Sequence, residues 1–372
     1  MSEGIAGPAL AAFATAAILA LVLTPLVRRI AHRFDVLDRP EARRVNTSPI
    51  PRGGGIAVAA AFVITSLGLV VADSRFGIWP VTDAPAAREV VALVGGAGLA
   101  ALIGSLDDWF DLRARWQLVG QLVLAGVAVG LGITVTLLAN PFGPGFIHLS
   151  GVFEAAFAVL WVLGMINSIN FIDGLDGLSS GVALIAALTL GTISLTGPID
   201  QPAVALFCFA LAGSLLGFLR WNLHPASIFL GTSGVMVIGY VLALLAILGS
   251  AKVAVALLVL GVPIIDTFWI IVRRLSEGRS PFSPDRGHIH HRLLDLGLSH
   301  GQTVLVIYAV CIALAVLSLV LSGTGQLYAF LGVFVIFGLG LYLLSRAAGG
   351  NGAAGGALRL ARRARPGRSR SP

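Results

Sequence analysis

The sequence predicts an all-α polytopic membrane protein with about eleven transmembrane helices. Its 372 residues are 57% hydrophobic and 12% charged, with a mean hydropathy of +0.92, whereas soluble domains average about 25% charged residues. A helix that crosses the ~30 Å hydrocarbon layer needs about 20 mainly apolar residues. The apolar runs that meet or approach this length are residues 5–27, 54–72, 90–106, 116–138, 153–166, 179–196, 203–219, 235–249, 253–272, 303–322 and 326–345.

The distribution of basic residues predicts the orientation of these helices. If the spans alternate in direction, all but three of the 25 Lys and Arg residues fall on one side, and the exceptions are Arg75, Arg88 and Lys252. Basic residues mark cytoplasmic loops, so we expect the N-terminus outside and the C-terminus in the cytoplasm. The chain is therefore predicted to be a multi-pass protein of the cell membrane. One transmembrane domain would cover residues 1–345, and residues 346–372 would form a disordered Arg- and Gly-rich cytoplasmic tail.

The unusual polar residues lie in loops on the predicted cytoplasmic side. The first of these loops ends in Arg52, Gly53 and Gly54, at the start of an apolar span. Glycine N–H groups at a helix N-terminus can bind phosphate, and Arg52 would add positive charge. A Pro/Gly turn with flanking arginines explains the same residues equally well.

Two adjacent carboxylates, Asp107 and Asp108, stand where the third span leaves the membrane. Adjacent carboxylates repel each other, so we expect a neighbouring cation or a raised pKa. A solvated acidic loop balanced by Arg113 and Arg115 is the alternative. A functional role is favoured, because ionisable groups at a membrane boundary usually have a task.

The segment NSINFIDGLDGL carries two Asn and two Asp residues at a spacing of three: Asn167, Asn170, Asp173 and Asp176. If the segment is helical, this spacing places the carboxylates on one face. Carboxylate and amide oxygens suit Mg²⁺ or a similar hard cation. A polar helix end capped by water is the weaker alternative.

A histidine cluster marks the last large loop, where His288, His290 and His291 precede Arg292. His-x-His-His is compatible with zinc, but the loop holds no Cys, and His300 would have to be brought in by the fold. Histidine and arginine also bind a diphosphate, and we favour contact with an anion.

Together these loops favour phosphoryl transfer to or from a membrane-embedded substrate, because a metal ion and positioned polar groups are the usual means of that reaction. A transporter is disfavoured, since it would place its polar residues near the bilayer midplane. No nucleic-acid partner is expected.

Six ordered blocks resemble those of a known family. They are DRPEARRVNTSPIPRGGGIAV, SLDDWFDLRARWQLVGQ, NSINFIDGLDGLSSG, RWNLHPASIFLGTSG, PIIDTFWIIVRR and DRGHIHHRLLDLGLSH, within residues 35–345. The chain resembles the polyprenyl-phosphate N-acetylhexosamine-1-phosphate transferases, a bacterial glycosyltransferase family related to the phospho-MurNAc-pentapeptide transferases.

The resemblance implies transfer of N-acetylhexosamine-1-phosphate, with GlcNAc-1-phosphate as the favoured case, from a UDP-sugar to undecaprenyl phosphate, with release of UMP. It implies a requirement for Mg²⁺ or Mn²⁺ and suggests a homodimer. Asp107 and Asp108 match the pair assigned to the lipid phosphate, and Asp173 and Asp176 match the pair near nucleotide and metal. Asn222 matches a polar residue near the metal, and the histidine run matches a substrate motif.

Three positions depart from the family pattern. Thr232 stands where the Asp of a GDxGS motif is a metal ligand, Gln117 stands where Lys is usual, and Asn46 stands where His is common. A hydroxyl is a poorer Mg²⁺ ligand than a carboxylate. A catalytically weakened homologue that binds polyprenyl phosphate or nucleotide sugar therefore stays open beside an active transferase. A phospho-MurNAc-pentapeptide transferase is the other alternative, although the His-Ile-His-His-Arg pattern differs from the one expected there.

Overall fold

A computed structural model describes residues 5–39, 49–76, 86–140, 142–143, 145–196, 201–249, 253–280, 287–321 and 324–340. The described residues up to Phe330 belong to one compact unit, and those from Leu331 onward belong to a second. Asn46 and the predicted tail over 346–372 lie outside the described residues. The candidate site lies wholly in the first unit.

The described chain is almost entirely helical. The helices are α1 Ala6–Arg33, α2 Gly55–Phe76, α3 Ala87–Phe110 (with a π turn at Val91–Gly95), α4 Ala114–Gly130, α5 Val152–Ile172, α6 Leu178–Ser194, α7 Pro202–Asn222, α8 Gly231–Leu248, α9 Val253–Val259, α10 Gly261–Ser276, α11 Ile289–Asp295, α12 His300–Val320 and α13 Thr324–Gly340. Two antiparallel pairs of short strands complete it: β1 Leu37–Asp38 with β2 Ile50–Pro51, and β3 Leu137–Ala139 with β4 Phe146–His148.

Seven of the described helices are long and apolar enough to cross a membrane. The pair α9–α10, bent by 79°, would bring the number to eight if it is one span. Helices α6 and α13 are apolar but shorter. These helices confirm an all-α polytopic membrane protein, whereas the count of eleven spans and the orientation stay predictions.

One predicted span is wrong in its extent. Residues 116–138 were expected to be one helix, but α4 ends at Gly130 and residues 137–139 pair as strand β3. Gly132 has φ +96°, which ends the helix without steric strain. The residues that follow, Ile133 to Thr136, are all β-branched and favour extended backbone.

Local sequence explains several other helix ends. Helix α7 begins at Pro202, whose missing N–H costs nothing in a first turn. Helix α12 has a capping box, in which the Ser299 hydroxyl accepts from the Gln302 N–H and the Gln302 side chain accepts from the Ser299 N–H. Helix α3 ends at Phe110, and the next residue, Asp111, adopts the left-handed conformation that Asp tolerates better than most residues.

Helix α8 forms the centre of the bundle and is buried along most of its length. Two long-range hydrogen bonds attach it to its neighbours. The Tyr240 hydroxyl donates to the Ala92 carbonyl at 2.8 Å, and the Trp161 indole N–H donates to the Ala243 carbonyl at 3.1 Å. Buried polar groups with partners avoid the cost of desolvation, so these bonds fix α3 and α5 against α8.

Glycines let the helices approach α8 closely at its N-terminal end. A Cβ at Gly104 of α3 would lie 2.3 Å from the Ser233 Cα, and a Cβ at Gly55 of α2 would lie 1.9 Å from the Gly234 N. Small residues at helix crossings are the usual device of membrane bundles, because packing rather than hydrophobicity joins the helices. The start of α8 is therefore held against α2 and α3 by backbone contacts.

We predict that Gly104→Ala destabilises the protein, because the added methyl group meets backbone that cannot rotate away. Overpacking of this kind costs about 1–3 kcal/mol, measured as a lower midpoint of thermal unfolding in detergent. Gly98→Ala is the matched control, since it lies on the same helix and its Cβ would meet nothing within 4 Å. Equal midpoints for the two variants would contradict the close packing of α3 on α8.

Candidate active site

A cavity of about 640 Å³ opens where several helix ends meet. It is bounded by the residues after β2, the ends of α3, α5 and α7, the loop before α8, and the histidine segments at α11 and α12. The residues predicted from sequence that line it are Arg52, Asp108, Asn170, Asp173, Asp176, Asn222, Thr232 and His291. Gly53, Gly54, Asp107, Asn167, His288, His290 and Arg292 are absent from its wall.

Asp107 and Asp108 are both buried, so the solvated acidic loop is excluded. Asp108 accepts hydrogen bonds from the backbone N–H groups of Thr232 (2.7 Å) and Ser233 (3.0 Å), at the start of α8. Asp107 accepts from the Thr232 hydroxyl at 2.6 Å and from the Gln117 amide at 3.0 and 3.1 Å. Of the two features expected from sequence, a neighbouring cation or a raised pKa, the first is replaced here by neutral donors and a helix N-terminus, which support the two carboxylates.

The segment around Asp173 and Asp176 is a turn, so the two carboxylates do not share the helical face that they would share if the segment were helical. Helix α5 ends at Ile172, and the chain passes through Gly174 and Gly177 before α6 begins. Gly177 has φ +77°, and a Cβ at Gly174 would lie 2.3 Å from the His290 Nε2. The two glycines thus allow a tight turn that places both carboxylates on the cavity wall.

Burial raises the pKa of the Asp173 carboxyl well above its ordinary range, to about 6. The hydroxyl of Ser179 donates to this carboxylate and lowers the pKa in part. The nearby negative charges of Asp108 and Asp176 raise it again. A desolvated carboxylate with acidic neighbours is costly to the fold and is typical of functional sites.

Asp176 has two histidine neighbours that the sequence analysis did not assign to the site. Its Oδ2 lies 2.7 Å from the His224 Nδ1 and accepts from the Ala226 N–H at 3.1 Å. The His300 Nε2 lies 3.4 Å from the Asp176 carbonyl oxygen, and the rings of His224 and His300 stack with centroids 4.1 Å apart. The fold brings His300 to the site across 124 residues of sequence.

The three asparagines have different surroundings. The Asn222 Oδ1 accepts from the Gly177 N–H at 3.2 Å and from the Ser180 hydroxyl at 2.8 Å, and its amide N–H donates to the Ile228 carbonyl at 3.1 Å. Asn222 therefore joins the start of α6 to the loop before α8. Asn167 donates to the Gln121 side chain at 2.7 Å and faces α4, whereas Asn170 lines the cavity.

Arg52 is the member of the Arg-Gly-Gly motif that lines the cavity. Its guanidinium is held by Asp38 of β1, with N–O distances of 2.9 and 2.7 Å. The Gly54 and Gly55 N–H groups donate to the Phe229 and Leu230 carbonyls at 3.0 and 2.8 Å. These N–H groups join two segments of the protein, so the predicted phosphate cradle of free N–H groups is not formed at Gly54 and Gly55.

The histidine cluster does not act as one surface. His288 Nδ1 lies 2.8 Å from Asp266 of α10, whose other oxygen accepts from the Ile289 N–H at 3.0 Å. Arg292 donates to the Gly287 carbonyl at 2.9 Å. His291 lines the cavity. The hydrogen bonds of His288 and Arg292 hold the segment that carries it.

His290 is buried beneath the turn at Gly174. Burial lowers its pKa to about 3, and the neighbouring rings of His291 and His288 contribute to the decrease. His290 is therefore neutral at physiological pH, which removes it as a source of positive charge for an anion.

The side chains predicted to hold Mg²⁺ differ in the hydrogen bonds that their oxygens make. The Asn222 oxygen already accepts two hydrogen bonds, and the Thr232 hydroxyl is donated to Asp107. Asp173 and Asp176 are the predicted ligands that line the cavity as carboxylates, and one or two protein carboxylates, completed by substrate phosphate and water, are the usual protein ligands of Mg²⁺.

Comparison with known proteins provides independent information. Residues 90–250 match the model of Glycosyl transferase family 4. The chain is 33% identical over 338 residues to the probable undecaprenyl-phosphate N-acetylglucosaminyl 1-phosphate transferase of Bacillus subtilis, covering 89% of each chain. It is 35% identical over 362 residues to the decaprenyl-phosphate N-acetylglucosaminephosphotransferase of Mycolicibacterium smegmatis, covering 89% of this chain and 86% of the relative. It is 30% identical over 321 residues to the undecaprenyl-phosphate alpha-N-acetylglucosaminyl 1-phosphate transferase of Thermotoga maritima, covering 86% and 92%.

We predict that Asp173→Asn stabilises the metal-free protein at neutral and alkaline pH. The folded protein holds the Asp173 proton more tightly than the unfolded chain, because the pKa of this carboxyl is raised to about 6. The stability due to the bound proton is present at low pH and is lost as the pH rises through about 6. Asparagine carries no charge, and its oxygen can still accept from Ser179.

The measurement is the midpoint of thermal unfolding in EDTA at pH 5 and pH 8. The midpoint of Asp173→Asn relative to wild type should be higher at pH 8 than at pH 5. Asp295→Asn, at an exposed carboxylate of α11, should show no such change with pH. The prediction is contradicted if Asp173→Asn is less stable than the wild type at pH 8, because the carboxylate would then stabilise the fold.

Proposed function

The chain belongs to Glycosyl transferase family 4 and is a membrane-bound sugar-phosphate transferase, and from this premise we propose its substrates. It transfers N-acetylhexosamine-1-phosphate, with GlcNAc as the favoured sugar, from a UDP-sugar to undecaprenyl phosphate. UMP is released, and the lipid-linked product starts a glycan of the cell envelope. The activities for which the relatives are named supply the acceptor class and the sugar phosphate.

The observation that carries the proposal is the cavity that brings Asp108, Asp173, Asp176 and Arg52 together. In the proposed reaction, an oxygen of the lipid phosphate attacks the β-phosphorus of the UDP-sugar. The bond between that phosphorus and the oxygen bridging to the α-phosphorus breaks, and UMP leaves with the electron pair. A lipid phosphate is already ionised at neutral pH, so the protein's task is to position two anions in line and to offset their charge.

Arg52 is suited to offset that charge. Asp38 fixes the guanidinium in place, so little side-chain entropy is lost when a phosphate binds. The cavity carboxylates would repel a diphosphate unless further positive charge enters with it, which supports the divalent cation implied by the resemblance. The site lies at the span ends that the basic-residue pattern assigns to the cytoplasm, and we propose that the UDP-sugar enters from that side.

A second function is favoured by one observation. The family pattern has a carboxylate at position 232. The Thr232 hydroxyl that stands there donates its hydrogen bond to Asp107. A homologue that binds polyprenyl phosphate or nucleotide sugar without turnover would have this feature. Assays of binding and turnover on the same preparation separate the two functions.

We predict that the purified protein releases UMP from UDP-GlcNAc when undecaprenyl phosphate and a divalent cation are present. Asp173→Asn and Asp176→Asn should each lower turnover by at least about a hundredfold, the order lost when a group that supports charge stabilisation is removed, because each carboxylate would help to hold the cation that offsets the diphosphate. Asp295→Asn is the matched control, because it makes the same substitution at an aspartate that is exposed and absent from the cavity wall. Both site variants should keep the circular dichroism spectrum of the wild type.

Failure to release UMP from any UDP-N-acetylhexosamine, while undecaprenyl phosphate or UDP-sugar still binds, would reject the transferase in favour of the binding function. Full turnover in Asp173→Asn would instead show that the reaction does not use this cavity as proposed.

We predict that the effects of charge at positions 117 and 232 are coupled. Gln117 and Thr232 both donate to Asp107, so Thr232→Asp alone sets a third carboxylate beside two others and should lower turnover at least about tenfold. Gln117→Lys supplies a cation to the same carboxylate. The double variant should recover most of the loss, and the double-mutant cycle should be non-additive.

Thr232→Val is the neutral control for this cycle, because it removes the hydroxyl at nearly constant volume and adds no charge. Additive effects of Thr232→Asp and Gln117→Lys on turnover would show that the two side chains do not act through Asp107.

A further inference from the structure

Two arginines from different helices lie against one tryptophan at the edge of the bundle. The guanidinium carbon of Arg28, on α1, is 5.6 Å from the centroid of the Trp221 ring. The guanidinium carbon of Arg220, on α7, is 5.7 Å from the same centroid. Both distances are within the ~6 Å range of a cation–π contact, so one ring holds two positive charges.

We propose that Arg28, Arg220 and Trp221 bind the phosphate headgroup of an anionic phospholipid of the surrounding membrane. The three residues are absent from the cavity wall, so this site is separate from the candidate active site. The inference goes beyond the proposed function and does not rest on it. The charge, the position and the surroundings of the three side chains together indicate the class of ligand.

The protein does not balance the charge of the two guanidinium groups. Within the part of the chain that the structure describes, neither Arg28 nor Arg220 forms an ion pair with a carboxylate. Arg29 follows directly in the sequence and adds a further cation. A phosphate bound here would be attracted by these charges, and the N–H edge of a stacked guanidinium matches phosphate oxygens in geometry.

The position of the three residues along their helices is that of a lipid headgroup. Helix α7 is long and apolar enough to cross a membrane and ends at Asn222, so Arg220 and Trp221 lie in its last turn. Arg28 is the first basic residue after the apolar run of α1. Tryptophan and arginine are typical of the membrane–water interface, where lipid phosphates lie.

Exposed apolar side chains lie deeper in the membrane on the same two helices. Leu216 precedes Arg220 by four residues, Leu21 precedes Arg28 by seven, and both leucines are exposed. Residues at these spacings share one face of a helix. The acyl chains of a lipid whose phosphate binds the arginines would therefore lie along apolar side chains of both helices.

The helices that carry the two arginines are in close contact. A Cβ at Gly217 of α7 would lie 2.2 Å from the Ala17 carbonyl oxygen of α1. The Trp221 indole N–H donates to the Leu21 carbonyl at 3.1 Å. These contacts fix the ring between the two helices, so little conformational entropy is lost when a headgroup binds.

Fluorescence quenching by brominated lipid tests the site. The full chain is reconstituted into phosphatidylcholine vesicles that contain a fixed small fraction of dibromo-phosphatidylglycerol or the same fraction of dibromo-phosphatidylcholine. The signal of Trp221 is the emission of each protein minus that of the same protein with Trp221→Phe. In the wild type, the association constant from quenching should be at least about fivefold higher for the anionic lipid, which corresponds to the ~1 kcal/mol of one basic residue near an anionic headgroup.

Arg28→Gln and Arg220→Gln should each reduce this preference, and the double variant should be quenched equally by the two lipids. Arg33→Gln is the matched control, because it removes the same charge from an exposed residue of α1 that is not one of the two over the Trp221 ring. Its preference should equal that of the wild type. Midpoints of thermal unfolding establish that each variant has folded.

Native mass spectrometry provides a second test if Trp221→Phe fails to fold. In detergent with added phosphatidylglycerol, the wild type should retain one more molecule of this lipid than the Arg28→Gln/Arg220→Gln double variant. Equal numbers of bound lipids in the two proteins would overturn the proposal.

The proposal is also overturned if the Trp221 signal shows no preference for phosphatidylglycerol, if the double variant keeps the wild-type preference, or if Arg33→Gln lowers it as much as Arg28→Gln does. Loss of the preference in millimolar inorganic phosphate at constant ionic strength would show a site for free phosphate and would overturn the lipid assignment. Displacement of phosphatidylglycerol by undecaprenyl phosphate at a lower mole fraction would assign the site to the acceptor lipid instead.

Discussion

The Asp108 carboxylate at the N-terminus of helix α8 is the interaction on which the arrangement of the site depends. It accepts from two consecutive backbone N–H groups, and it can approach them because Gly231 has no side chain, since a Cβ there would lie 2.6 Å from the Asp108 Oδ2. A buried charge without such donors would be strongly unfavourable in this bundle. The carboxylate thus joins α3 to the central helix and fixes one wall of the cavity.

The other walls of the cavity are held by similar hydrogen bonds between segments that are distant in sequence. Asp38 holds Arg52, Asp266 holds His288, and Asn222 holds the turn after Asp176. Arg52, His288 and Asn222 were predicted to bind substrate or metal, and each is hydrogen-bonded to another part of the protein. The result is a cavity whose wall carries carboxylates together with Arg52 and His291, which suits a phosphoryl-transfer reaction in which positioning provides most of the rate.

The sequence predicted the membrane class and the two aspartate pairs because these signals are local. Apolar runs and adjacent carboxylates can be recognised without knowing the fold. The geometry of Asp173 and Asp176 was predicted wrongly because the spacing of three matched a helix, whereas Gly174 and Gly177 form a turn. His224 and His300 could not be assigned, since they meet Asp176 only through contacts across 48 and 124 residues. Strand β3 was missed because its apolar residues continued the hydrophobic run of α4.

The most direct test of the central claim follows the β-phosphorus of the donor. UDP-GlcNAc carrying a radioactive β-phosphate is incubated with the protein and undecaprenyl phosphate, and the lipid and aqueous fractions are separated. Transfer of the sugar with its phosphate predicts that the label enters the lipid fraction in a 1:1 ratio with unlabelled UMP in the aqueous fraction. Label retained in UDP, with the sugar alone in the lipid, would contradict the account, as would a lipid fraction without label.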